Sequence, residues 1–381
     1  MKKYLILLLC CMMVSGCSGL KNIQDVAYVI GIGVDYDQDH KEYIIYLQGL
    51  SFTNVAKLEG QSFTQLVPVY IGSARGETLN LAVRKLYKLS NPPLFFGHLR
   101  TIVLTERVSN NKIKQFLEEV GRNRSVRGTM RVFMTNEKIE DVFKIHGLFN
   151  YPPLYTILYK ESKEKLFKDE IRPVSLMQFL RKYYEPMGAA KLPLLKIDQD
   201  AWKAGKKYPS IFIDGYSVFQ SEENKGTITK EDALLIDWIL EKRNSLTLQL
   251  KEDDELIAVV DLGHPKLKVT YKKGTDYPIF TMQLSVQGEL VEKRKHIPYD
   301  ELASKIKQKI SNKVNKVYEK GRNRGIDSFD IGEKWYRKHP KEYHDLQKNP
   351  SFYLHENSLQ KLKVEVEINN FNSYRYNTKN K

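Results

Sequence analysis

Apolar and polar positions along the chain switch repeatedly between a period near two and a period near 3.6, and the switches predict an interleaved series of strands and helices. Val26 to Val34 and Glu42 to Leu50 are β-rich runs on either side of the turn-rich link Asp35-Tyr36-Asp37-Gln38-Asp39-His40, the pattern of a hairpin. A strand at Val67 to Ile71 follows. Helical spacing then appears at Leu79, Val83, Leu86 and Tyr87, ended by the breaker Asn91-Pro92-Pro93. Beyond it the pattern predicts a strand at Thr101 to Thr105, a helix over about Lys112 to Val120, a strand at Arg131 to Met134 and a helix over about Glu137 to Phe143.

Residues 147–209 hold Pro152, Pro153, Pro173, Pro186, Pro193 and Pro209, with one predicted helix at Ser175 to Tyr184. That concentration of breakers marks a boundary region and leaves room for a small subdomain. The pattern restarts with a strand from Ile211 to Phe219 and a helix opening at Thr229, where Asp232 is placed for an N-terminal capping interaction. Strands are predicted at Leu246 to Leu250, Leu256 to Val260, Leu267 to Tyr271 and Phe280 to Gly288. The longest helix signal runs over about Tyr299 to Lys320, with Leu302, Ile306, Ile310, Val314 and Tyr318 on one stripe. A short helix near Gly332 to Arg337 and an alternating strand at Leu362 to Ile368 close the series. The fold class is therefore α+β, a multidomain mixed helix/sheet protein, with domains expected at 17–190 and 205–376 around the proline-rich middle.

The first sixteen residues follow a different grammar. Lys2 and Lys3 precede an apolar run from Tyr4 to Val14, and Val14-Ser15-Gly16-Cys17 ends it with small residues before a cysteine. This is a secretory signal. As a helix its eleven apolar residues would span roughly 16 Å, about half the hydrocarbon core of a bilayer. The four-residue end is similar to a bacterial lipobox, so residues 1–16 are expected to be removed between Gly16 and Cys17, and the Cys17 sulfur to carry the lipid. Two acyl chains suffice for stable anchoring where one is marginal.

Composition narrows the chemistry. The 381 residues contain three cysteines, Cys10, Cys11 and Cys17, so the exported body has no disulfide framework and no cysteine for a zinc site. The formal charge is +15, and loss of Lys2 and Lys3 with the signal lowers it to +13. For a tethered protein outside the cell the expected anionic neighbour is lipid, and no nucleic acid is expected.

Searches for catalytic patterns return little. Gly31-Ile32-Gly33 begins like a dinucleotide fingerprint, but Tyr36 occupies the sixth position and no helix opens there. His339 and His344 stand five apart, a spacing that does not align two imidazoles on a helix face. His98 follows an aromatic turn, and a structural hydrogen bond outweighs catalysis there. Asp35/Asp37 and Asp253/Asp254 read as turn formers. No catalytic residue, cofactor or metal ligand is nominated, and an enzyme is not expected. Two basic features remain: the long helix carries Lys305, Lys307, Lys309, Lys313, Lys316 and Lys320, and Gly121-Arg122-Asn123-Arg124 recurs as Gly321-Arg322-Asn323-Arg324. A core-packed helix with a solvated face, and two glycine C-caps, account for them, with headgroup contact as the sharper alternative.

Several blocks taken in order resemble one family. They are Gly16-Cys17 with 23–35, then Gly76-Glu77-Thr78-Leu79 with Ala82 and Arg84, then Phe96-Gly97-His98-Leu99-Arg100, then Gly215-Tyr216-Ser217-Val218-Phe219 with Trp238. They are similar to the Ger(x)C family, lipoprotein C subunits of the nutrient germinant receptors of spore-forming bacteria. Departures are Ser18-Gly19 where the family usually has Trp-Asp, and Tyr343 where it has a tryptophan. The resemblance implies a noncatalytic subunit, lipid-anchored on the outer face of the cell membrane, in spores the inner membrane. It also implies association with a membrane-spanning A subunit and a transporter-like B subunit, supporting the assembly or signalling that triggers germination. A solute-binding lipoprotein serving a transporter is the alternative.

Overall fold

The computed structural model describes residues 26–50, 67–160, 170–242, 244–274, 277–346 and 352–369. Cys17 and the whole signal segment lie outside the described residues.

Two sheets organise the chain. The first contains β1 (Ala27–Asp37), β2 (Glu42–Leu50), β3 (Val69–Gly76), β4 (Leu94–Phe95), β5 (Thr101–Thr105), β6 (Arg131–Thr135), β7 (Val174–Ser175), β8 (Ala189–Asp198), β9 (Ser210–Gln220) and β10 (Glu223–Thr229). Its order is β10-β9-β8-β6-β5-β1-β2-β3, with β4 added to β1 and β7 to β6. The central strands β1, β5, β6 and β8 run parallel, and antiparallel partners close both flanks. Parallel neighbours need crossovers, and helices supply them. The first is α1 (Leu79–Leu89), entered through a Thr78 cap on the Leu81 amide. Next come α2 (Glu106–Asn111), α3 (Ile113–Arg122), α4 (Ile139–Lys144) and α5 (Leu176–Tyr183), the last opened by a Ser175/Gln178 capping box.

One face of this sheet buries Val34, Ile102, Leu104 and Met134 against Ala82, Phe116 and Phe179 of α1, α3 and α5. The opposite face belongs to a core that continues through α6 (Lys230–Leu240) into the second sheet, from Val103 and Phe133 by way of Trp238 to Phe280 and Ile306. That second sheet comprises β11 (Leu246–Glu252), β12 (Glu255–Leu262), β13 (Lys266–Lys272), β14 (Ile279–Lys293) and β15 (Leu359–Asn369). The long strand β14 meets β13 and then β12 along one edge and the parallel β15 along the other. Helix α7 (Tyr299–Arg322) buries Leu302, Ile306, Ile310, Val314 and Tyr318, the stripe its 3.6 period predicts. Two short helices, α8 (Ile331–Lys338) and α9 (Pro340–Leu346), complete the described chain.

The architecture is α+β, as the patterning predicts, and three details differ. Strand β8 lies within the proline-rich middle and contains Pro193, which is accommodated where the β8–β9 register shifts between Pro193 and Leu195. The β8–β9 hairpin crosses that middle, so the first sheet draws strands from both sides of residues 199–209. Finally, β1 continues through Asp37, which removes Asp35 from the turn; only Asp37, accepting from the amides of Asp39 and His40, makes the expected Asx arrangement.

Candidate functional site

The residues that sequence reasoning weighed for chemistry are scattered, and the structure gives each a structural occupation. Gly31 and Gly33 admit neighbours at close range: an added Cβ would stand 2.5 Å from the Tyr159 hydroxyl at Gly31 and 2.3 Å from Ile139 at Gly33. The His98 ring lies edge-on to Tyr28 at 5.1 Å, beside Phe95. Burial, with Arg100 and Arg127 nearby, pushes its pKa down. The His339 ring lies tilted against Tyr271, 4.7 Å away at the end of α8, while His344 sits on α9 against Tyr343. Among the described residues no group of three His, Asp or Glu side chains is arranged to hold a metal ion. Asp253 and Asp254 have φ of 48° and 63° and form the turn between β11 and β12.

Asp35 is the exception that sequence reasoning missed. Buried at 4% exposure, it accepts from the Thr105 hydroxyl at 2.5 Å and from the Arg107 Nε at 2.9 Å, tying β1 to the end of β5. The Arg107 pKa is raised, chiefly by this hydrogen bond.

The basic motifs also change meaning. Four lysines of α7 are consumed internally: Lys305 pairs with Glu252 at 2.7 Å, Lys309 donates to the Gln249 carbonyl, Lys313 pairs with Glu231, and Lys320 pairs with Asp232 at 2.6 Å. Thr229 caps the Asp232 amide of α6 at 3.4 Å. Neither repeated glycine takes a left-handed cap; Gly121 and Gly321 lie inside the last helical turns, and Gly325, with φ of 68°, makes the turn after α7. The second copy's Arg324 reaches across to β10, donating to the carbonyls of Thr227 and Lys225 at 2.8 Å each.

Arg324 belongs to a polar junction between the first sheet and the α7–α8 segment. The Gln220 side chain, at the end of β9, accepts from the Asp327 amide at 3.1 Å. Lys182, on α5, pairs with Asp330 at 2.7 Å and with Glu333, and Arg337 spans Glu333 and Glu185. Asp330 holds the N-cap position of α8 in a left-handed conformation, φ 51° and ψ 36°, with no side-chain capping bond. Fully buried Asp327 accepts from the Tyr353 hydroxyl at 2.5 Å and the Gly332 amide at 2.6 Å. Burial and the charge of Asp330 push the Asp327 carboxyl up, against these bonds. Burial pulls the Lys182 amine down, but Asp330 and Glu333 outweigh it and leave it raised. Nearby Lys334 is lowered by burial. Carboxylates and cations balance across the junction, and the arrangement couples two parts of the chain more readily than it performs chemistry.

A second feature is an apolar cleft of about 300 Å³ between the first sheet and helices α1 and α3. Ile32, Leu79, Val83, Tyr87 and Phe96 line it, with Glu119 and Arg84 among its polar groups. The blocks Gly76 to Arg84 and Phe96 to Arg100 thus converge on one place.

Comparison with known proteins accounts for this combination of motif blocks without a catalytic constellation. The profile of the spore germination protein N-terminal domain matches residues 19–197, and that of the spore germination B3/GerAC-like C-terminal domain matches residues 214–372. Spore germination protein A3 of Bacillus subtilis is 24% identical over 76% of this chain and 74% of its own. Spore germination protein KC of the same organism is 21% identical over 90% and 88%. The crystal structure of the GerBC protein superposes with a TM-score of 0.55 at 15% identity, covering 90% of this chain and 97% of that one, and so shares the fold. With both halves matched in order across nearly the whole length, the chain belongs to the GerAC-like family of spore germination proteins, the noncatalytic C subunits of germinant receptors.

Proposed function

We propose that this C subunit is held to the outer face of the cell membrane by acyl chains on Cys17. In spores this is the inner membrane, where the subunit works beside a membrane-spanning A subunit and a transporter-like B subunit in nutrient-triggered germination. The observation that carries the reading is the ordered match of both halves to spore germination domains, behind a segment whose only cysteine retained after cleavage is Cys17. Two acyl chains at about 0.8 kcal/mol per buried methylene supply a stable anchor. The folded body contributes a rigid coupled surface rather than a reaction. The solute-binder alternative has no support among the relatives compared, each of which is a spore germination protein.

Substituting Cys17→Ala is expected to abolish fatty-acid labelling and shift the protein from the membrane to the soluble fraction. Labelling that persists in the variant contradicts the anchor. Cross-linking in intact spores is expected to join the wild-type chain to a multispan protein and a transporter-like protein encoded beside it; a chain that cross-links only to itself contradicts the partnership.

A further inference from the structure

One end of the first sheet is both cationic and apolar, and the chain enters the fold there. Parallel strands β1, β5 and β6 all begin at this end: Tyr28 pairs with Phe95, Gly31 with Thr101, and Thr101 with Arg131. Two loops cover it, the one leaving α1 and the one leaving α3. Residues 87–100 and 120–131, which span these loops, contain no Asp or Glu; Glu118 and Glu119 stand just before the second, in the last turns of α3. They contain Lys88, Arg100, Arg122, Arg124, Arg127 and Arg131.

Arg131 is engaged, donating to the Ile157 carbonyl at 3.0 Å. Arg127 donates to the Gly97 carbonyl at 2.7 Å and so ties the two loops together. Lys88, Arg100, Arg124 and Arg127 are exposed, in contrast with the α7 lysines that acidic neighbours hold. Among these cations stand exposed apolar side chains: Leu89 at 82% exposure, Tyr87 at 45% and Phe95 at 40%. An exposed leucine and aromatic rings set among exposed cations that form no ion pair among the described residues make a poor solvent face and a good interfacial one.

We infer that this end of the first sheet is a second membrane contact, in which Leu89 and Phe95 enter the interfacial region while Lys88, Arg100, Arg124 and Arg127 meet anionic phospholipid headgroups. Charge complementarity selects the occupant, because Lys88, Arg100, Arg124 and Arg127, which form no ion pair among the described residues, match a phosphate-rich surface. The tether agrees. Ala27 is ten positions beyond Cys17, a reach of at most about 35 Å when extended. The inference rests on the membrane-anchored reading only for that orientation; the surface itself is in the folded body. It also moves the headgroup contact away from α7, where four of six lysines are held internally, and from the second arginine motif, whose Arg322 and Arg324 bind within the protein.

The test uses the full mature chain with Cys17→Ala, so that no acyl chain contributes, and vesicles of phosphatidylcholine with or without 30 mol% phosphatidylglycerol as probe compositions. The unacylated chain is expected to co-sediment with the anionic vesicles, weakly with the neutral ones, and to be released by salt. R124A with R127A is expected to weaken binding about thirtyfold, the equivalent of about 1 kcal/mol for each of two charges. L89D is expected to weaken it further. The control K307A with K316A, which removes two exposed α7 lysines, is expected to leave binding within about twofold. All variants alter exposed side chains, and an unchanged melting temperature verifies their folding. Equal losses from both pairs, or no binding to anionic vesicles, overturn the inference. So does a result in which the R124A/R127A pair leaves vesicle binding intact but detaches the subunit from its solubilised partners, since the surface then faces protein. Fatty-acid labelling of Cys17 reports separately on the anchor, so either idea can fail alone.

Discussion

Asp237 shows how a buried side chain writes a pH dependence into this protein. It sits on α6 in the core, accepting from the Tyr216 hydroxyl at 2.6 Å. Burial pushes its pKa from an ordinary 3.8 up to about 6, with Lys191 and the Tyr216 bond opposing the rise. Between these two values the folded chain holds a proton that the unfolded chain has released. Stability from this group is therefore full below about pH 4 and is lost as pH rises through about 6. A gap of about two units corresponds to about 3 kcal/mol. The stability of the wild type minus that of Asp237→Asn, from urea unfolding at fixed temperature, is expected to fall by roughly that amount between pH 4 and pH 7. Asp327 is raised in the same direction but is common to both proteins, so it cancels in the difference. Parallel stability profiles contradict the assignment. Gly215 makes a related point about legibility: its φ of 124°, and the 2.0 Å that would separate an added Cβ from the Ile228 carbonyl oxygen, explain why a glycine opens the Gly215-Tyr216-Ser217-Val218-Phe219 block. The block was visible in the sequence, but the reason for its glycine was not. Asp35 was misread for the opposite reason, since an Asp before a turn and an Asp in an ion pair look alike until the strand's end is known.

At the scale of elements, apolar periodicity located those whose patterns are set by burial. The α7 stripe and the alternation of β15 follow directly from one-sided packing. Strand β10 escaped because its Glu-Asn-Lys-Gly-Thr sequence lacks alternation, and an edge position with Gly226 at φ 94° tolerates that. Short α2 and α9 were missed because six or seven residues give too little period to read. The junction between α5 and α8 is likewise invisible in sequence, since its charges lie about 150 residues apart along the chain. Its importance is measurable. Replacing Lys182 with Met leaves Asp330 and Glu333 short of their shared cation; complete burial of such a pair would put the cost at several kcal/mol, and the 24% exposure of the lysine side chain reduces it to about 2 kcal/mol. Hydrogen exchange is expected to quicken in α8 more than in β11 or β12. Unchanged α8 protection in the variant contradicts a coupling role for the junction.

For the whole molecule, one continuous core joins the two sheets through α6, and the polar junction adds a second connection. The two family profiles divide the chain between residues 197 and 214, in the connection between β8 and β9. The proline-rich middle, residues 147–209, ends in that connection, and the two strands joined there are antiparallel neighbours in one sheet. Composition reports where the chain turns, and only pairing reports which strands stay together. Membership of the GerAC-like family makes this coupled body a receptor component, and the most direct measurement is germination itself. Spores lacking the gene, with no redundant receptor present, are expected to germinate slowly or not at all in the receptor's nutrient while responding normally to a receptor-independent trigger; restoring the wild-type gene restores the response. An undiminished nutrient response in spores lacking the gene contradicts the account.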